Sequence, residues 1–394
     1  ALESREKGKV VTIIGGSRRT VEWGARFASK GFTVRLVTED REELSRILRE
    51  QLGGREEASR RIFHTTHADG LATSGLVIIA SRKARIEEVG ECAMNVIAGM
   101  PSTIDLLIDT EHLPCLVSEI PLRSRHRVYG VSSSGTVGDR GVIEISLCDR
   151  MQEEGLPELL SFFDTLDLLT IVIRETPAGL CKRVLTAYIT EALRLVEEGA
   201  GILRVEEVAF SSGMSSGPFW GLDALGLETY LETTGLLKVR NGERFDPPDV
   251  AVRFRESGIE GKHGEKGFYV YTDGSPWLDE SILPAEGGGM NSPRYDDVIK
   301  DRLFYSVVGE AIRVYGEGIA AHPEVVDCAI DSLGIFPSHL GGPLYFASMQ
   351  GSTQLVHRFE KMYRAWGVQF EPPEFLYSAL GNRARSPFKS RQKI

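Results

Sequence analysis

The sequence Lys9-Val-Val-Thr-Ile-Ile-Gly-Gly16 decides the fold of the first part of the chain. A continuous apolar run that ends in glycines is typical of a buried parallel strand followed by a tight turn. Apolar residues then recur at helical spacing from Val21 to Lys30, and Gly31 supplies a stop before a strand-like run at Thr33–Val37. Together these segments predict a β-strand, an α-helix and a second, parallel β-strand.

The same alternation continues to about residue 173 and then changes. A helix is expected at Ile86–Ala98, and further strands are expected at Leu76–Ala80, Leu106–Ile108, Val128–Val131, Gly141–Leu147 and Thr170–Ile173. This pattern predicts a doubly wound α/β domain over residues 1–173. Beyond Pro177 the sequence is dominated by long amphipathic segments, which predict helical domains.

The helical part contains a repeat. The stretch that begins Glu191-Ala-Leu-Arg194 resembles the one that begins Glu310-Ala-Ile-Arg313, and each is followed by a Gly-Pro turn at Gly217 or Gly342. Self-similarity over several landmarks predicts two related helical domains. We place them at residues 174–285 and 286–394, joined by a linker rich in Gly, Pro and Asp at Asp273–Pro293.

Composition excludes several classes of protein. The chain has 394 residues, 46 Lys and Arg against 56 Asp and Glu, and a net charge of −10, which argues against binding a nucleic acid duplex through general positive charge. Five scattered cysteines without a Cys-x-x-Cys pair predict neither a disulfide framework nor a metal site. No apolar run approaches the roughly 20 residues of a membrane span, and no signal peptide begins the sequence. We expect an intracellular, reducing location.

Motifs in the helical part carry a family resemblance. They are Glu191–Gly199, Gly217-Pro-Phe219, the sequence Gly-Glu-Lys-Gly-Phe-Tyr at 264–269, and Leu333-Gly-Ile-Phe-Pro337. With the α/β front, they resemble the 3-hydroxyacyl-CoA dehydrogenase family, in particular the dehydrogenase part of multifunctional fatty-acid β-oxidation enzymes. The resemblance implies a Rossmann-like domain that binds NAD, followed by two related helical domains of the family's C-terminal type. It also implies that acyl-CoA lies between front and helical domains and that a His–Glu pair removes the hydroxyl proton.

The expected NAD-binding loop is altered. Gly15, Ser17 and Thr20 occupy the three glycine positions of the family's Gly-x-Gly-x-x-Gly loop. In that loop the second glycine lets the backbone approach the pyrophosphate and the third lets the helix pack on the strand. Side chains at Ser17 and Thr20 therefore predict impaired NAD binding.

The charged positions around the nucleotide are altered as well. Thr38 stands where the family has its ribose-binding acid, and Glu39 could substitute only if the end of the strand shifts. Arg18 and Arg19 are either solvated loop arginines or a site for a phosphate, including a 2′-phosphate. Lys83 lies in a loop that usually carries an acid near the nicotinamide, so the charge there is reversed.

The catalytic positions differ most. Ser132 stands in place of the family's histidine, whereas the partner glutamate is retained as Glu144. A serine hydroxyl cannot accept a proton at neutral pH without a base beside it, so Ser132 would act as a nucleophile only with a base from elsewhere. Lys182 replaces the family's carbonyl-binding asparagine. His112 is either a relocated general base or an ordinary loop histidine.

Three functions remain open from the sequence. The leading prediction is a catalytically impaired homologue, retained to bind acyl-CoA esters or as a structural subunit of a larger protein assembly. The second is an active NAD(P)-dependent dehydrogenase built on Glu144, Lys182 and His112, and the third is a CoA-thioester enzyme that uses Ser132. The mitochondrial matrix or a peroxisome-like organelle is favoured over the cytoplasm.

The last residues of the sequence are basic, although the chain as a whole has a negative net charge. Residues 383–394 carry five basic groups and no acid. The segment from Arg383 to Lys393 is either a solvated tail or an arm that contacts RNA, an anionic membrane surface or an acidic protein.

Overall fold

A computed structural model describes most of the chain. The described residues are 10–16, 18–38, 42, 45–46, 48–49, 59–66, 70–80, 86–101, 103–109, 127–137, 140–147, 155–262, 264, 266–271, 276–279, 282, 290 and 292–381. The chain divides into two compact units. The first, called the front unit, comprises residues 1–133 and 138–176, and the second, called the helical unit, comprises residues 134–137 and 177–394. In the described part of the chain, every helix is too short or too polar to cross a membrane.

A sheet of eight strands forms the centre of the front unit. The strands are β1 (Val10–Ile14), β2 (Thr33–Val37), β3 (Ile62–Thr65), β4 (Leu76–Ile79), β5 (Asp105–Asp109), β6 (Val128–Val137), β7 (Arg140–Leu147) and β8 (Leu168–Arg174). Their order is β3-β2-β1-β4-β5-β6-β7-β8. Neighbours from β3 to β6 run parallel, as do β7 and β8. This confirms the predicted Rossmann-like, doubly wound architecture.

Helices cover the sheet on both faces. Helices α1 (Arg18–Ser29) and α3 (Leu156–Asp164) contribute Phe27 and Phe163 to one apolar core, and α2 (Ile86–Gly99) contributes Val96 to another. Because both faces are covered, the central strands are apolar throughout, as in β4, whose four residues are all buried.

The helical unit contains two matching series of helices. The first is α4 (Gly179–Glu197), α5 (Ile202–Ser211), α6 (Pro218–Leu225), α7 (Leu227–Asn241) and α8 (Asp249–Glu256). The second is α9 (Asp296–Gly316), α10 (Pro323–Leu333), α11 (Pro343–Gln350), α12 (Ser352–Trp366) and α13 (Glu374–Gly381). Their lengths are 19, 10, 8, 15 and 8 residues in the first series and 21, 11, 8, 15 and 8 in the second. The predicted repeat is therefore present as two related helical series.

The two series are held together by reciprocal ion pairs between α4 and α9. Arg183 of α4 donates to Glu310, with its Nε 2.7 Å from Oε1, and binds Glu317 through both terminal nitrogens at 2.6 and 2.7 Å. Arg302 of α9 binds Glu191 and Glu198 in the same arrangement. Both guanidinium groups are fully buried.

These ion pairs fix the charge of the buried carboxylates. Burial alone would raise the pKa of Glu310, but the guanidinium groups of Arg183, Arg244 and Arg313 outweigh it and hold that pKa well below its ordinary value. Glu310 is therefore ionised wherever the unit is folded, and each series supplies charges that the other requires.

Some predicted element bounds were wrong. Helix α1 begins at Arg18 and not at Val21. Within the expected linker Asp273–Pro293, the short strand β10 (Trp277–Leu278) pairs antiparallel with β9 (Tyr269–Val270). Part of the expected linker is therefore ordered by backbone pairing.

Candidate functional site

The carboxyl ends of the front strands meet at one edge of the sheet. The strand register aligns Ile14 with Val37 and with Ile79, and it aligns Asp109 with Val131. The next residue of each strand therefore lies at the edge where doubly wound sheets bind their ligands. This edge contains the sequence-predicted residues Gly15, Thr38 and Ser132.

The retained glutamate lies beside the residue that replaces the family's histidine. The Ser132 hydroxyl donates to Oε2 of Glu144 at 3.5 Å, the long limit of a hydrogen bond. Glu144 is only 1% exposed, on β7 of the same sheet. Among the described residues, the partner of the Ser132 hydroxyl is thus a carboxylate and not an imidazole.

The turn after β1 keeps the glycine geometry that the loop requires. Gly15 has φ 147°, and a Cβ atom at this position would lie 2.2 Å from the carbonyl oxygen of Ala80. No other residue fits there without a shift of the backbone. The third glycine position is occupied by Thr20, which is fully buried and donates its hydroxyl to Ala80 at 3.1 Å. The expected bulk of Thr20 is therefore accommodated by a hydrogen bond between helix and strand.

A polar cluster of the front unit surrounds Asp109, at the end of β5. Its Oδ2 accepts hydrogen bonds from Nε1 of Trp23 at 2.6 Å and from Nε and a terminal nitrogen of Arg19 at 3.2 and 3.1 Å. The Arg19 guanidinium also donates to the hydroxyl of Ser133 at 3.0 Å. Because Arg19 lies in the first turn of α1, its side chain joins that turn to Asp109 at the end of β5 and to Ser133 within β6. We call these four residues the Arg19 bridge.

The bridge corrects one sequence interpretation and adds two residues. Arg19 is not a solvated loop arginine, because it lies within α1, pairs with Asp109 and has a side chain only 17% exposed. Asp109 and Trp23 were not predicted as site residues. Asp109 is 4% exposed, and a charged residue that ends a fully buried strand was the available signal.

The remaining predicted residues divide into two groups. Thr38 follows β2 and is largely buried. Its hydroxyl oxygen lies 2.7 Å from the position that a Cβ atom added to Gly16 would take. Lys182 lies in the first turn of α4 in the helical unit and is half-buried. Other predicted residues lie outside the described part of the chain; these are Ser17, Glu39, Lys83, His112, the side chain of Arg18, and the tail from Arg383 to Lys393.

Buried carboxylates cap the short helices of the helical unit. Glu206 accepts from the backbone nitrogen of Phe219 at 2.6 Å, at the start of α6, and Asp327 accepts from those of Leu344 and Tyr345 at 2.7 and 3.0 Å, at the start of α11. Burial raises the pKa of Glu206 to about 7 and that of Asp327 to about 6. No group of three or more His, Cys, Asp or Glu suited to a metal ion occurs among the described residues.

The front unit is thus a doubly wound parallel sheet, and the helical unit is a duplicated series of helices. Residues 180–271 match the family model described as 3-hydroxyacyl-CoA dehydrogenase, C-terminal domain. The predicted resemblance to the 3-hydroxyacyl-CoA dehydrogenase family is confirmed by this match.

The chain is also similar in sequence to curated relatives and in fold to solved structures. The chain is 26% identical over 265 residues to the fatty acid oxidation complex subunit alpha of Shewanella sp. (strain ANA-3), covering 66% of this chain and 37% of that protein. It thus spans little more than a third of that relative's length. The fold is similar to 3-hydroxybutyryl-CoA dehydrogenase from Escherichia coli (TM-score 0.72, 17% identity, 94% and 98% of the two chains covered). It is also similar to the dehydrogenase part of multifunctional enzyme 1 from C. elegans (TM-score 0.66, 18% identity, 94% and 89% covered).

Proposed function

We propose that this protein is a 3-hydroxyacyl-CoA dehydrogenase homologue without effective dehydrogenase activity, retained to bind acyl-CoA esters within a larger protein assembly. The observation that carries the proposal is the pairing of Ser132 with Glu144. The resemblance places a proton-accepting histidine at this position, and a hydroxyl supplies no such acceptor. Glu144 could accept a proton directly only from a group in contact with it. Because Glu144 is only 1% exposed, a bound substrate has little access to its carboxylate.

The residues around the nucleotide edge do not fit NAD. The turn at Gly15 suits a dinucleotide, but the Arg19 bridge joins the first turn of α1 to the end of β5 and to Ser133 within β6. A dinucleotide in a doubly wound sheet lies along this same edge. A ligand bound along this edge would meet the Arg19 guanidinium, which the buried Asp109 carboxylate holds in place. We therefore assign no step of a reaction to NAD.

Binding of an acyl-CoA ester is supported by the helical unit. Its match at residues 180–271 is to a domain named for 3-hydroxyacyl-CoA dehydrogenase, and Lys182 supplies a cationic donor at the position of the family's carbonyl-binding residue. A lysine acts there as a mobile charge and not as a fixed amide. Such a group suits retention of a thioester better than precise orientation for hydride transfer.

A role as a subunit is supported by the names of the relatives. The relatives are called subunit alpha of a fatty acid oxidation complex, and this chain spans 37% of the first one's length. We propose that the chain fulfils an assembly or sensing role connected with fatty-acid oxidation, in the mitochondrial matrix or a peroxisome-like organelle. Fluorescent tagging of the protein in its native cells tests the compartment, and a purely cytoplasmic signal would contradict it.

Calorimetric titration tests the proposed binding. The intact chain is titrated separately with acetoacetyl-CoA, NADH and NADPH, and we expect heat from the CoA ester alone. Lys182→Ala should weaken that binding, whereas Lys238→Ala, at an exposed surface ion pair, serves as the matched control and should leave it unchanged. Tight binding of either nucleotide by the unaltered chain would favour the alternative of an active NAD(P)-dependent enzyme.

A further inference from the structure

Helix α6 of the first series is covered by a later segment of the chain. Asp223 of α6 accepts from the backbone nitrogens of Phe268 and Tyr269, both at 2.8 Å, and from the hydroxyl of Tyr271 at 3.0 Å. The ring of Trp220 contacts that of Tyr269 edge-on, with centroids 5.2 Å apart. The segment that follows α8 thus returns to α6 and closes its outer face.

In the part of the chain that the structure describes, the matching face of α11 in the second series is exposed. Counted from the Gly-Pro turn that begins each helix, Tyr345 corresponds to Trp220 and Ser348 to Asp223. Tyr345 is 56% exposed and Met349 is 70% exposed. Ser348 donates its hydroxyl to the carbonyl of Tyr345, within its own helix. We call the surface formed by Tyr345 and Met349 the α11 face.

An acidic stripe lies beside this face on α10. Glu324, Asp327 and Asp331 are spaced three and four residues apart, so they project from one side of the helix. Asp327 also holds the start of α11 through the nitrogens of Leu344 and Tyr345, which places the stripe next to the face. An occupant of the α11 face would therefore combine apolar and basic side chains.

Residues 382–394 combine an apolar side chain with basic ones. They follow the last helix of the second series, as the covering segment follows the last helix of the first series. In the first series the segment that follows α8 contacts α6 within a few residues, because the backbone N–H of Lys262 donates to the backbone carbonyl of Asp223 at 2.9 Å. In the second series, α13 ends at Gly381 and is followed by residues 382–394, which lie outside the described residues. They contain one aromatic residue, Phe388, among the basic residues Arg383, Arg385, Lys389, Arg391 and Lys393.

We propose that residues 382–394 bind the α11 face of their own chain, with Phe388 against Tyr345 and Met349 and the basic side chains along the acidic stripe. The duplicated helical series carries the argument, because the equivalent segment of the first series covers the equivalent helix. This assignment is independent of the proposed function. It gives the basic tail an intramolecular acidic surface as its partner, in place of RNA.

Oxidation of Met349 by dilute hydrogen peroxide, followed by peptide mass spectrometry, tests the proposal in the full chain. A thioether oxidises at a rate set by its accessibility. We expect slow oxidation of Met349 in the unaltered chain and several-fold faster oxidation in Phe388→Ala. Met214 and Met362, each 2% exposed, are internal references that should not change. Ser390→Ala, in the same segment, is the matched control and should retain the protection.

Charge reversal supplies a second, independent readout. Arg391→Glu with Lys393→Glu should raise the oxidation rate, and Glu324→Lys in that background should lower it again. Equal rates in the unaltered chain and in Phe388→Ala would overturn the proposal. Protection that requires added RNA, or that depends on protein concentration, would also overturn it, because the partner would then be another molecule.

Discussion

The two compact units use paired arginines in different ways. In the helical unit, Arg183 and Arg302 are fully buried, and each binds two carboxylates supplied by the opposite series. In the front unit, Arg19 pairs with Asp109 at the edge of the sheet where a ligand would bind. The first arrangement joins elements that must stay together. The second lies at the edge where a doubly wound sheet binds its ligand, so one ion pair belongs to the scaffold and the other to the candidate site.

The largest expected effect is the loss of a scaffold arginine. Arg302→Ala leaves Glu191 buried with Arg194 as its remaining cationic partner, whereas Arg183→Ala leaves Glu310 with both Arg244 and Arg313. Removing one partner of a buried pair costs about 3–5 kcal/mol. We expect Arg302→Ala to reach that range and Arg183→Ala to cost less, measured by urea unfolding.

A surface pair gives the matched control for this comparison. Arg204 binds Asp296 and Glu207 in a partly exposed cluster, so Arg204→Ala should cost less than about 1 kcal/mol. Equal losses for Arg204→Ala and Arg302→Ala would show that the reciprocal pairs are not part of the scaffold.

The next effect concerns the altered site. Ser132→His restores an imidazole beside Glu144, and Arg19→Ala opens the edge of the sheet. We expect NADH oxidation with acetoacetyl-CoA to rise most in the combined variant, by about 10²-fold, the lower limit of what a positioned general base contributes. Steady-state rates of both single variants and the double variant test this. A double variant that binds NADH but shows no gain would mean that further groups of the site are lost.

A smaller effect is the pH dependence of stability in the helical unit. Burial raises the pKa of Glu206 from 4.5 to about 7, so between these values the folded state holds a proton that the unfolded state has released. Stability should therefore fall as pH rises from about 4.5 to about 7 and then level off. For this single group the change is on the order of 1–3 kcal/mol.

The control for this effect removes the titrating proton while retaining the amide contacts. Glu206→Gln can still accept from the nitrogen of Phe219, so it should flatten most of the pH slope measured by urea unfolding. The weaker contribution of Asp327 remains, since burial raises its pKa only to about 6. An unchanged slope in Glu206→Gln would assign the titration to other groups.

Much of the fold followed from local sequence patterns. The run Val10–Ile14 and its glycines predicted the first strand and turn, because apolar continuity and glycine conformation are local properties. Strand β3 was not predicted, since it is four residues long and exposes Phe63. Helix α3 was also missed.

The site was only partly predictable, for a physical reason. Ser132 and Glu144 were expected together because they stand at the two positions of the family's His–Glu pair, 12 residues apart in sequence. The contact between Arg19 and Asp109 joins residues 90 positions apart, so it depends on the strand order and on the direction of one side chain. Neither property can be read from the local sequence.

The central claim is tested most directly by the NADH oxidation rate of the unaltered full chain with acetoacetyl-CoA. We predict no rate above that of the same mixture without protein, because Ser132 offers no proton acceptor and the Arg19 bridge occupies the nucleotide edge. A measurable rate that disappears in Glu144→Gln would contradict the account and would identify the protein as an active dehydrogenase.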